Sequence, residues 1–352
     1  MGIGGKRFRL LNIPHGKIGG EHKDNTKPAI FTWMYLTCRR PSLVTVVLAL
    51  IVLIQLYKYH FTATVHGRFV ALESNGGRIG NQLFHLCSGY AISRAIGRRH
   101  YIRTLDIGVF HIAKHIQKIE TIFPRLMGTF TVMEVGNEYR VPFAQKNGEM
   151  SCCEYEDPKR LENITEQFLV LELLYAQNVR YFEHMLPEIR YLLEFSDDVK
   201  RRGREVLDRW QIKDASAMCV HIRRSDFIRL HLATDFDRSV RHVRFIAKQQ
   251  GLSKFVIFGD DVDFMRMMSE ELGPTKTRFS SHSEGVDFFI ASKACGAMLI
   301  TAPTSTFGWW LAFFSPNQNA VFYTNDQRTM EDKNPNKDLF LSPWKPFGGG
   351  RR

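Results

Sequence analysis

The feature that most constrains the fold is a regular alternation of strand and helix patterns in the second half of the chain. Short apolar runs predict buried strands at 217–222, 254–259 and 297–301. Apolar residues at helical spacing predict helices at 239–250, 261–272, 283–294 and 306–313. This alternation favours an α/β fold with a parallel sheet covered by helices, because parallel strands need crossover connections.

The first half repeats the alternation less regularly. "RFVALES", "HYIRTL" and "QFLVLELLY" read as strands, and helices are predicted at 81–96 and 181–195. Residues 105–160 give no readable pattern. A helix follows from Ser196, a suitable N-cap with two aspartates after it. We therefore predict two Rossmann-like domains that face a cleft, one over 68–195 and one over 196–352.

Three predicted strands of the second half are each followed by a segment rich in charged or hydroxyl-bearing residues. In open α/β sheets, ligands bind beyond the carboxyl ends of the strands. The polar segments that follow the three strands are "HIRRSD" (221–226), "GDDVD" (259–263) and "APTSTFGWW" (302–310). Their convergence at one edge of a sheet predicts a ligand site there.

The adjacent arginines Arg223 and Arg224 suit a polyanion, because two guanidinium forks match phosphate oxygens. Asp226 can then orient a guanidinium or accept a hydrogen bond from a sugar hydroxyl. A surface cluster of salt bridges is the alternative interpretation of the same string.

The other two segments also have two interpretations each. Ser305 and Thr306 begin a predicted helix, whose free N–H groups can bind an anion, although simple N-capping explains them too. Asp261 and Asp263 have the D-x-D spacing of metal-dependent sugar-nucleotide enzymes, but N-capping explains them well. Because two arginines already neutralise a diphosphate, we expect no metal.

The turn "GGRIGNQ" in the first half lacks the G-x-G-x-x-G spacing of dinucleotide-binding proteins. Gly77 and Gly80 still permit close approach of a ligand to the backbone. Asn81 and Gln82 offer amide donors and acceptors to a sugar or a phosphate.

The N-terminal region predicts a membrane anchor. Residues 41–58 contain an uncharged apolar run, preceded by a basic tail over 1–40 and followed by a short stem over 59–67. The preceding lysines and arginines predict a cytoplasmic N-terminus and a lumenal catalytic part. A buried core helix is the alternative. The net charge of +12 suits an anionic partner, and the predicted compartment excludes nucleic acid.

Two further patterns concern the secretory pathway. Asn163 begins an N-x-T glycosylation acceptor. Cys219 and Cys295 lie in apolar, strand-like contexts and are predicted to be plain core residues, which leaves Cys152 or Cys153 as the expected disulfide partner.

Several motifs together resemble the α-1,2-fucosyltransferase family, glycosyltransferase family 11. They are "GGRIGNQLF", "LLYAQNVRYF", "HIRRSDF", "FVIFGDD" and "DFFIASKACGAMLITAPTSTFGWWLAFF", in order from about residue 70 to 325. The resemblance implies a GT-B fold, type II Golgi membrane topology, and metal-independent, inverting transfer from GDP-β-L-fucose to a glycan hydroxyl. Ser225 and Gly259 depart from the usual Gly and Ser of the family.

The resemblance also assigns roles to residues. It implies that Arg223 and Arg224 hold the donor diphosphate, that Ser305, Thr306 and Phe307 line its pocket, and that Asp260 and Asp261 lie beside it. Arginines aimed at the leaving phosphate stabilise the transition state. Asp226 and His221 are the candidates for a general base.

Two other functions stay open from the sequence. One is a catalytically inactive relative that binds a glycan or a nucleotide sugar, and the other is a transferase that uses another sugar nucleotide. O2 of a terminal galactose is the acceptor that the resemblance implies, and no residue pattern identifies it independently.

Overall fold

The computed structural model describes residues 43–63, 67–109, 112–326, 328, 333 and 338–348. The cytoplasmic tail predicted at 1–40 and part of the predicted stem lie outside the described residues. The chain divides into two compact units, Met1–His60 and Phe61–Arg352.

Helix α1, Leu43–Ala63, occupies the position of the predicted membrane anchor. Among the residues that the structure describes, no helix combines the length and the apolar character that a membrane crossing requires. The predicted anchor over 41–58 is therefore not supported.

The first sheet is built from five parallel strands in the spatial order β3-β2-β1-β7-β4. Its strands are β1 Phe69–Leu72, β2 Arg99–Arg103, β3 Phe130–Met133, β4 Tyr139–Pro142 and β7 Phe168–Glu172. A small antiparallel hairpin pairs β5, Gln145–Lys146, with β6, Glu149–Met150. The strands predicted in "RFVALES", "HYIRTL" and "QFLVLELLY" are confirmed as β1, β2 and β7.

The helices of this half are α2 Ile79–Ala95, α3 Thr104–Val109, α4 Ile112–Ile122 and α5 Leu186–Leu192. Helix α2 confirms the prediction for 81–96, and Gly97 follows it with a φ of +61°. The helix predicted over 181–195 is too long, because 3₁₀ turns at Val179–Tyr181 and Glu183–Met185 precede α5. Pro187 stands in the first turn of α5, where its missing N–H costs no hydrogen bond.

The second sheet has six parallel strands in the order β10-β9-β8-β11-β12-β13. They are β8 Ala217–His221, β9 Lys254–Phe258, β10 Thr277–Phe279, β11 Cys295–Ile300, β12 Val321–Thr324 and β13 Lys345–Phe347. The three predicted strands are confirmed as β8, β9 and β11, which are neighbours in the centre of this sheet.

The helices of the second half are α6 Asp197–Trp210, α7 Ser225–Arg229, α8 Phe236–Gln249, α9 Val262–Leu272, α10 Glu284–Ala294 and α11 Thr306–Phe314. Helices α8 and α9 pack on one face of the sheet, against residues such as Met218 and Val220. The other face, which includes Cys219, joins the large core that also contains β1, β7 and α2 of the first half. Helices therefore cover both faces, as the α/β prediction requires.

The cysteine predictions were wrong at two positions. Cys219 and Cys295 are not plain core residues but form a disulfide between the adjacent strands β8 and β11, with their Cα atoms 5.4 Å apart. Cys152 and Cys153 form a second disulfide with each other, and Cys87 is a buried free cysteine. The glycosylation acceptor Asn163 is exposed in a turn.

Candidate active site

The carboxyl ends of β9, β8 and β11 meet at one edge of the second sheet, beside the glycine-rich turn before α2. The segments that follow these strands line a cleft of about 970 Å³ between the two sheets. The cleft is lined by many of the predicted residues: Gly80, Asn81, His221, Arg223, Asp226, Asp260, Ser305, Thr306 and Phe307. The convergence predicted from the strand ends is therefore present in the structure.

Arg223 is held in the cleft by two carboxylates. Its guanidinium lies 2.6 Å from Asp226 and 2.8 Å from Asp260, and its side chain is only 13% exposed. It also lies over the ring of Phe227, at 5.3 Å from the centroid. Because both anchors come from the protein, the guanidinium is fixed before any ligand arrives.

Arg224 points elsewhere. Its Nε donates to Asp261 at 3.1 Å, one terminal nitrogen donates to the carbonyl of Thr234 at 3.0 Å, and the guanidinium lies 4.3 Å from the ring centroid of Phe264. Arg224 does not line the cleft. The two adjacent arginines, which the sequence suggests for one role, thus occupy different environments.

Asp226 is paired with two arginines, Arg223 from its own segment and Arg78 from the glycine-rich turn. Burial alone would raise the pKa of its carboxyl, but the two guanidiniums, together with hydrogen bonds from the Ser225 hydroxyl and a backbone N–H, outweigh this effect and hold the pKa below its usual value. A carboxylate so stabilised is a weak proton acceptor. Its geometry fits the first of the two predicted roles, the orientation of a guanidinium.

Arg78 is a cleft residue that the sequence analysis missed. Its position in "GGRIG" is the signal that was available, since a charged side chain in a ligand-binding turn can reach the ligand. Through Asp226 it connects the wall of the first half to Arg223 of the second half.

His221 lines the cleft but is almost fully buried. Burial, assisted by the nearby charge of Arg223, lowers the pKa of the imidazole to about 3. Its Nδ1 has no hydrogen-bond partner among the described residues, and the absence of a side chain at Gly308 lets α11 pack directly on the ring. A neutral imidazole with so low a pKa is a poor general base at neutral pH.

The first turn of α2 packs directly on the start of α11. A Cβ atom at position 80 would lie 2.7 Å from Oγ1 of Thr306 and 2.9 Å from its carbonyl carbon, so only glycine fits there. Oδ1 of Asn81 accepts hydrogen bonds from the Thr306 hydroxyl at 2.7 Å and from Nε2 of Gln177 at 3.0 Å. These contacts join the two halves at the cleft.

Two predicted residues, Gly77 in the glycine-rich turn and Gln82 in α2, support this segment from outside the cleft. Nε2 of Gln82 donates to both oxygens of Asn75 and to the carbonyl of Gly77, at 3.0 to 3.1 Å. Neither Gln82 nor Gly77 lines the cleft. Their position is that of residues that hold the turn in shape.

Helix α11 directs its N-terminus into the cleft. Ser305 is the N-cap residue, yet its side chain makes no capping hydrogen bond. Ser305, Thr306 and Phe307 all line the cleft, while Trp309 and Trp310 are buried in the core. The free N–H groups of the first turn and the positive end of the helix dipole favour an anion here.

The acidic residues of "GDDVD" are occupied by protein partners. Asp260 lines the cleft, pairs with Arg223 and accepts the backbone N–H of Arg224 at 2.9 Å. Asp261 caps α9 through the N–H of Phe264 and pairs with Arg224, and Asp263 pairs with Arg266 at the surface. Within the described residues, no cluster of His, Cys, Asp or Glu has the arrangement of a metal site.

Two other buried charged residues in the cleft were not predicted. Asp287, near the start of α10, accepts the hydroxyl of Ser280, and burial raises the pKa of its carboxyl to about 8. Lys333 is 2% exposed, and its Nζ donates to the carbonyl of Thr304 at 3.1 Å. An acid near a helix start looks in sequence like an ordinary dipole partner, so the burial of Asp287 was not foreseeable.

The Asp287→Asn variant is expected to gain stability relative to the wild type as the pH rises from 5 to 8. The carboxyl titrates near 4 in the unfolded chain and near 8 in the folded chain. Between these values the folded state holds a proton that the unfolded state has released, so the free energy of unfolding falls with rising pH. Asparagine cannot ionise and removes this slope.

Urea unfolding at pH 5, 6, 7 and 8 measures this difference. The exposed Asp263→Asn is the matched control and should show a nearly constant difference from the wild type over the same range. A pH-independent difference for Asp287→Asn would contradict the burial argument.

Comparison with known proteins identifies the class of enzyme. A putative galactoside 2-alpha-L-fucosyltransferase, svh-11, of Caenorhabditis elegans is 28% identical over 292 residues, covering 78% of this chain and 77% of its own length. A galactoside 2-alpha-L-fucosyltransferase of the same organism is 27% identical over 277 residues, with coverage of 70% and 68%. These relatives and the cleft define a glycosyltransferase.

The sequence model of glycosyl transferase family 11 matches residues 158–346, more than half of the chain. The chain belongs to this family. Among solved structures, POFUT1 in complex with GDP aligns with a TM-score of 0.47 and 11% identity, covering 74% of this chain and 99% of that one.

Proposed function

We propose that this glycosyltransferase moves L-fucose from GDP-β-L-fucose to O2 of a terminal galactose on a glycan, with inversion and without a metal ion. The observation that carries the proposal is the geometry around Arg223, which is fixed by two carboxylates in the same cleft that the N-terminus of α11 lines. The relatives named galactoside 2-alpha-L-fucosyltransferase support the choice of fucose as the transferred sugar and of position 2 of a galactoside as the acceptor.

The leaving group explains why a fixed cation is needed. As the acceptor hydroxyl oxygen bonds to the anomeric carbon, its proton is released to solvent, the bond from that carbon to the β-phosphate oxygen breaks, and negative charge develops on GDP. Arg223 and the N–H groups at the start of α11 can stabilise that charge without rearrangement in the transition state. Arg78, which shares Asp226 with Arg223, can add a second positive charge from the opposite wall.

The acidic residues support transfer without a metal. Asp261 and Asp263 are engaged in capping and ion pairing, and Asp260 holds Arg223. In this proposal the arginine and the helix N-terminus perform the charge neutralisation that a divalent cation provides in other glycosyltransferases.

Asp287 suits recognition of the donor base. Its buried carboxyl lies in the cleft, and the paired N–H donors that distinguish guanine would favour its ionised form, whose two oxygens accept both hydrogen bonds. This role completes a donor site on the second half, where the diphosphate lies near Arg223 and the base near α10.

Two α/β sheets facing a cleft lined from both halves support a GT-B architecture. We propose the Golgi lumen as the compartment. The disulfide between Cys219 and Cys295 supports an oxidising environment of this kind, because such bonds are rare in the cytosol.

Purified protein with labelled GDP-fucose and a β-galactoside acceptor tests the proposal. We expect fucose transfer that persists in EDTA, an α-linked product by NMR, and no product from the matched 2-deoxygalactoside. GDP-mannose and UDP-galactose serve as control donors. Absence of both GDP binding and transfer would refute the function, and loss of transfer in EDTA would refute metal independence alone.

A further inference from the structure

The wall of the cleft that the first half contributes is basic. Its charged and titratable side chains are Arg78 from the glycine-rich turn and Lys114, His115 and Lys118 from α4. Within the described residues, the first half contributes no carboxylate to this cleft. The carboxylates that line it, such as Asp226 and Glu284, all belong to the second half.

Helix α4 presents these side chains because of its sequence pattern. Ile112, Ile119 and Ile122 are buried and fix one face of the helix against the core. Lys114 and Lys118 are four residues apart and therefore lie on one face, which is directed to the cleft. Lys118 also pairs with Glu284 of α10 at 2.6 Å, which holds α4 against the second half.

The charges of this wall are incompletely neutralised. Arg78 is paired with Asp226 and Lys118 with Glu284. Lys114 makes no ion pair or hydrogen bond in the described part of the chain and is exposed. The positive charge of Lys114 is thus available to a ligand. Arg78 and Lys118 add two further positive charges, each paired with one carboxylate of the second half.

The charges around His115 create a positive electrostatic potential at this wall. The pKa of His115 is lowered first by burial and then by Lys118, and the positive charges of Lys114 and Arg78 act in the same direction against the opposing Glu284. Its Nδ1 is buried with no hydrogen-bond partner among the described residues. The positive field of Lys114, Lys118 and Arg78 favours an anionic ligand at this wall.

We propose that the acceptor glycan carries an anionic substituent, a sulfate, phosphate or carboxylate group close to the sugar that receives fucose, and that Lys114 and Lys118 bind it. This inference rests on the proposed function. In that function the donor occupies the second half, around Arg223, Asp287 and the start of α11, and the acceptor approaches along the first half. An acceptor in that position meets three cations and no carboxylate of the first half.

The test compares pairs of acceptors that differ only in charge. A neutral β-galactosyl disaccharide is compared with its 6-O-sulfated, 6-O-phosphorylated and glucuronic-acid-containing counterparts, and kcat/KM is measured for each. We expect a preference of about tenfold or more for at least one anionic acceptor at low salt, falling as ionic strength rises. The preferred counterpart identifies the anionic group.

The variant Lys114→Gln/Lys118→Gln is expected to abolish this preference, so that kcat/KM becomes about equal for the anionic and the neutral acceptor. Lys213→Gln is the matched control, since Lys213 is exposed outside the cleft, and should retain the full preference. Equal use of neutral and anionic acceptors by the wild type would overturn the inference while the proposed function stands. A tenfold rise in KM for GDP-fucose, with the preference unchanged in the double variant, would assign the lysines to the donor and overturn it too.

If no acceptor receives fucose, the failure belongs to the proposed function itself. Transfer to the neutral acceptor is therefore the reference measurement in every series.

Discussion

Replacement of Arg223 by alanine is expected to lower kcat/KM for fucose transfer by about 10²–10³-fold, the usual cost of removing one preorganised charge donor. The side chain of Arg223 is only 13% exposed, and its guanidinium is held by Asp226 and Asp260. Its removal leaves Asp260 without its ion-pair partner and Asp226 with Arg78 alone, so both carboxylates face the incoming diphosphate with less positive charge beside them. Repulsion from them then adds to the lost attraction, so GDP affinity should fall as well.

Arg224→Ala is the matched control, because the two residues are adjacent and differ in the direction of their side chains. Arg224 contacts Asp261, Thr234 and Phe264 outside the cleft. Its loss is expected to lower the free energy of unfolding by about 1–3 kcal/mol, since it leaves a partly buried carboxylate unpaired. GDP affinity should change by less than about fivefold.

Isothermal titration with GDP, initial-rate kinetics and urea unfolding on the three proteins separate these outcomes. The assignment is contradicted if Arg224→Ala loses donor affinity to the same extent as Arg223→Ala while both remain folded. Arg223→Lys refines the result: it restores a charge without the fork geometry, so activity between the wild type and alanine is expected.

The different orientation of these arginines marks the limit of what the sequence could predict. The end of β8 was predictable because a buried apolar run stops there, and so was the meeting of three strand ends. The backbone leaves regular geometry at Arg224, with φ of −134° and ψ of −65°. Which of two neighbouring side chains enters the cleft depends on that local conformation, and no periodicity specifies it.

Other features could not be predicted from the sequence for the same reason, namely that they depend on tertiary structure rather than on local sequence. Residues 105–160 gave no pattern because their strands are two to four residues long and include exposed positions. The basic face of α4 lies in this segment, so the wall that the first half contributes to the cleft could not be predicted from the sequence. Asp287 and Lys333 were missed because burial of a charged side chain depends on tertiary packing rather than on its neighbours in sequence.

The cysteines show how strand order converts an ordinary pattern into a covalent bond. Cys219 and Cys295 are separated by 76 positions and look like apolar strand residues. Only the adjacency of β8 and β11, which sequence order does not reveal, brings their sulfur atoms together. The same adjacency places the polar segments after both strands in the cleft.

Replacement of Cys219 and Cys295 together by alanine is expected to lower the free energy of unfolding by about 4 kcal/mol. The bond closes a loop of 76 positions in the unfolded chain, and the loss of that constraint accounts for most of the effect. The bond lies between the two strands that carry Arg223 and the start of α11 into the cleft. We therefore expect the variant to lose GDP affinity at a lower urea concentration than the wild type.

Cys152→Ala/Cys153→Ala provides the control. This pair also includes a buried residue, but its bond joins adjacent positions and restricts almost no loop of the unfolded chain. Its removal should cost much less, about 1 kcal/mol for lost packing. Equal losses for the two pairs would contradict the loop argument. Because β8 and β11 form the centre of the donor site, stability and donor binding should decline together only in the Cys219–Cys295 variant.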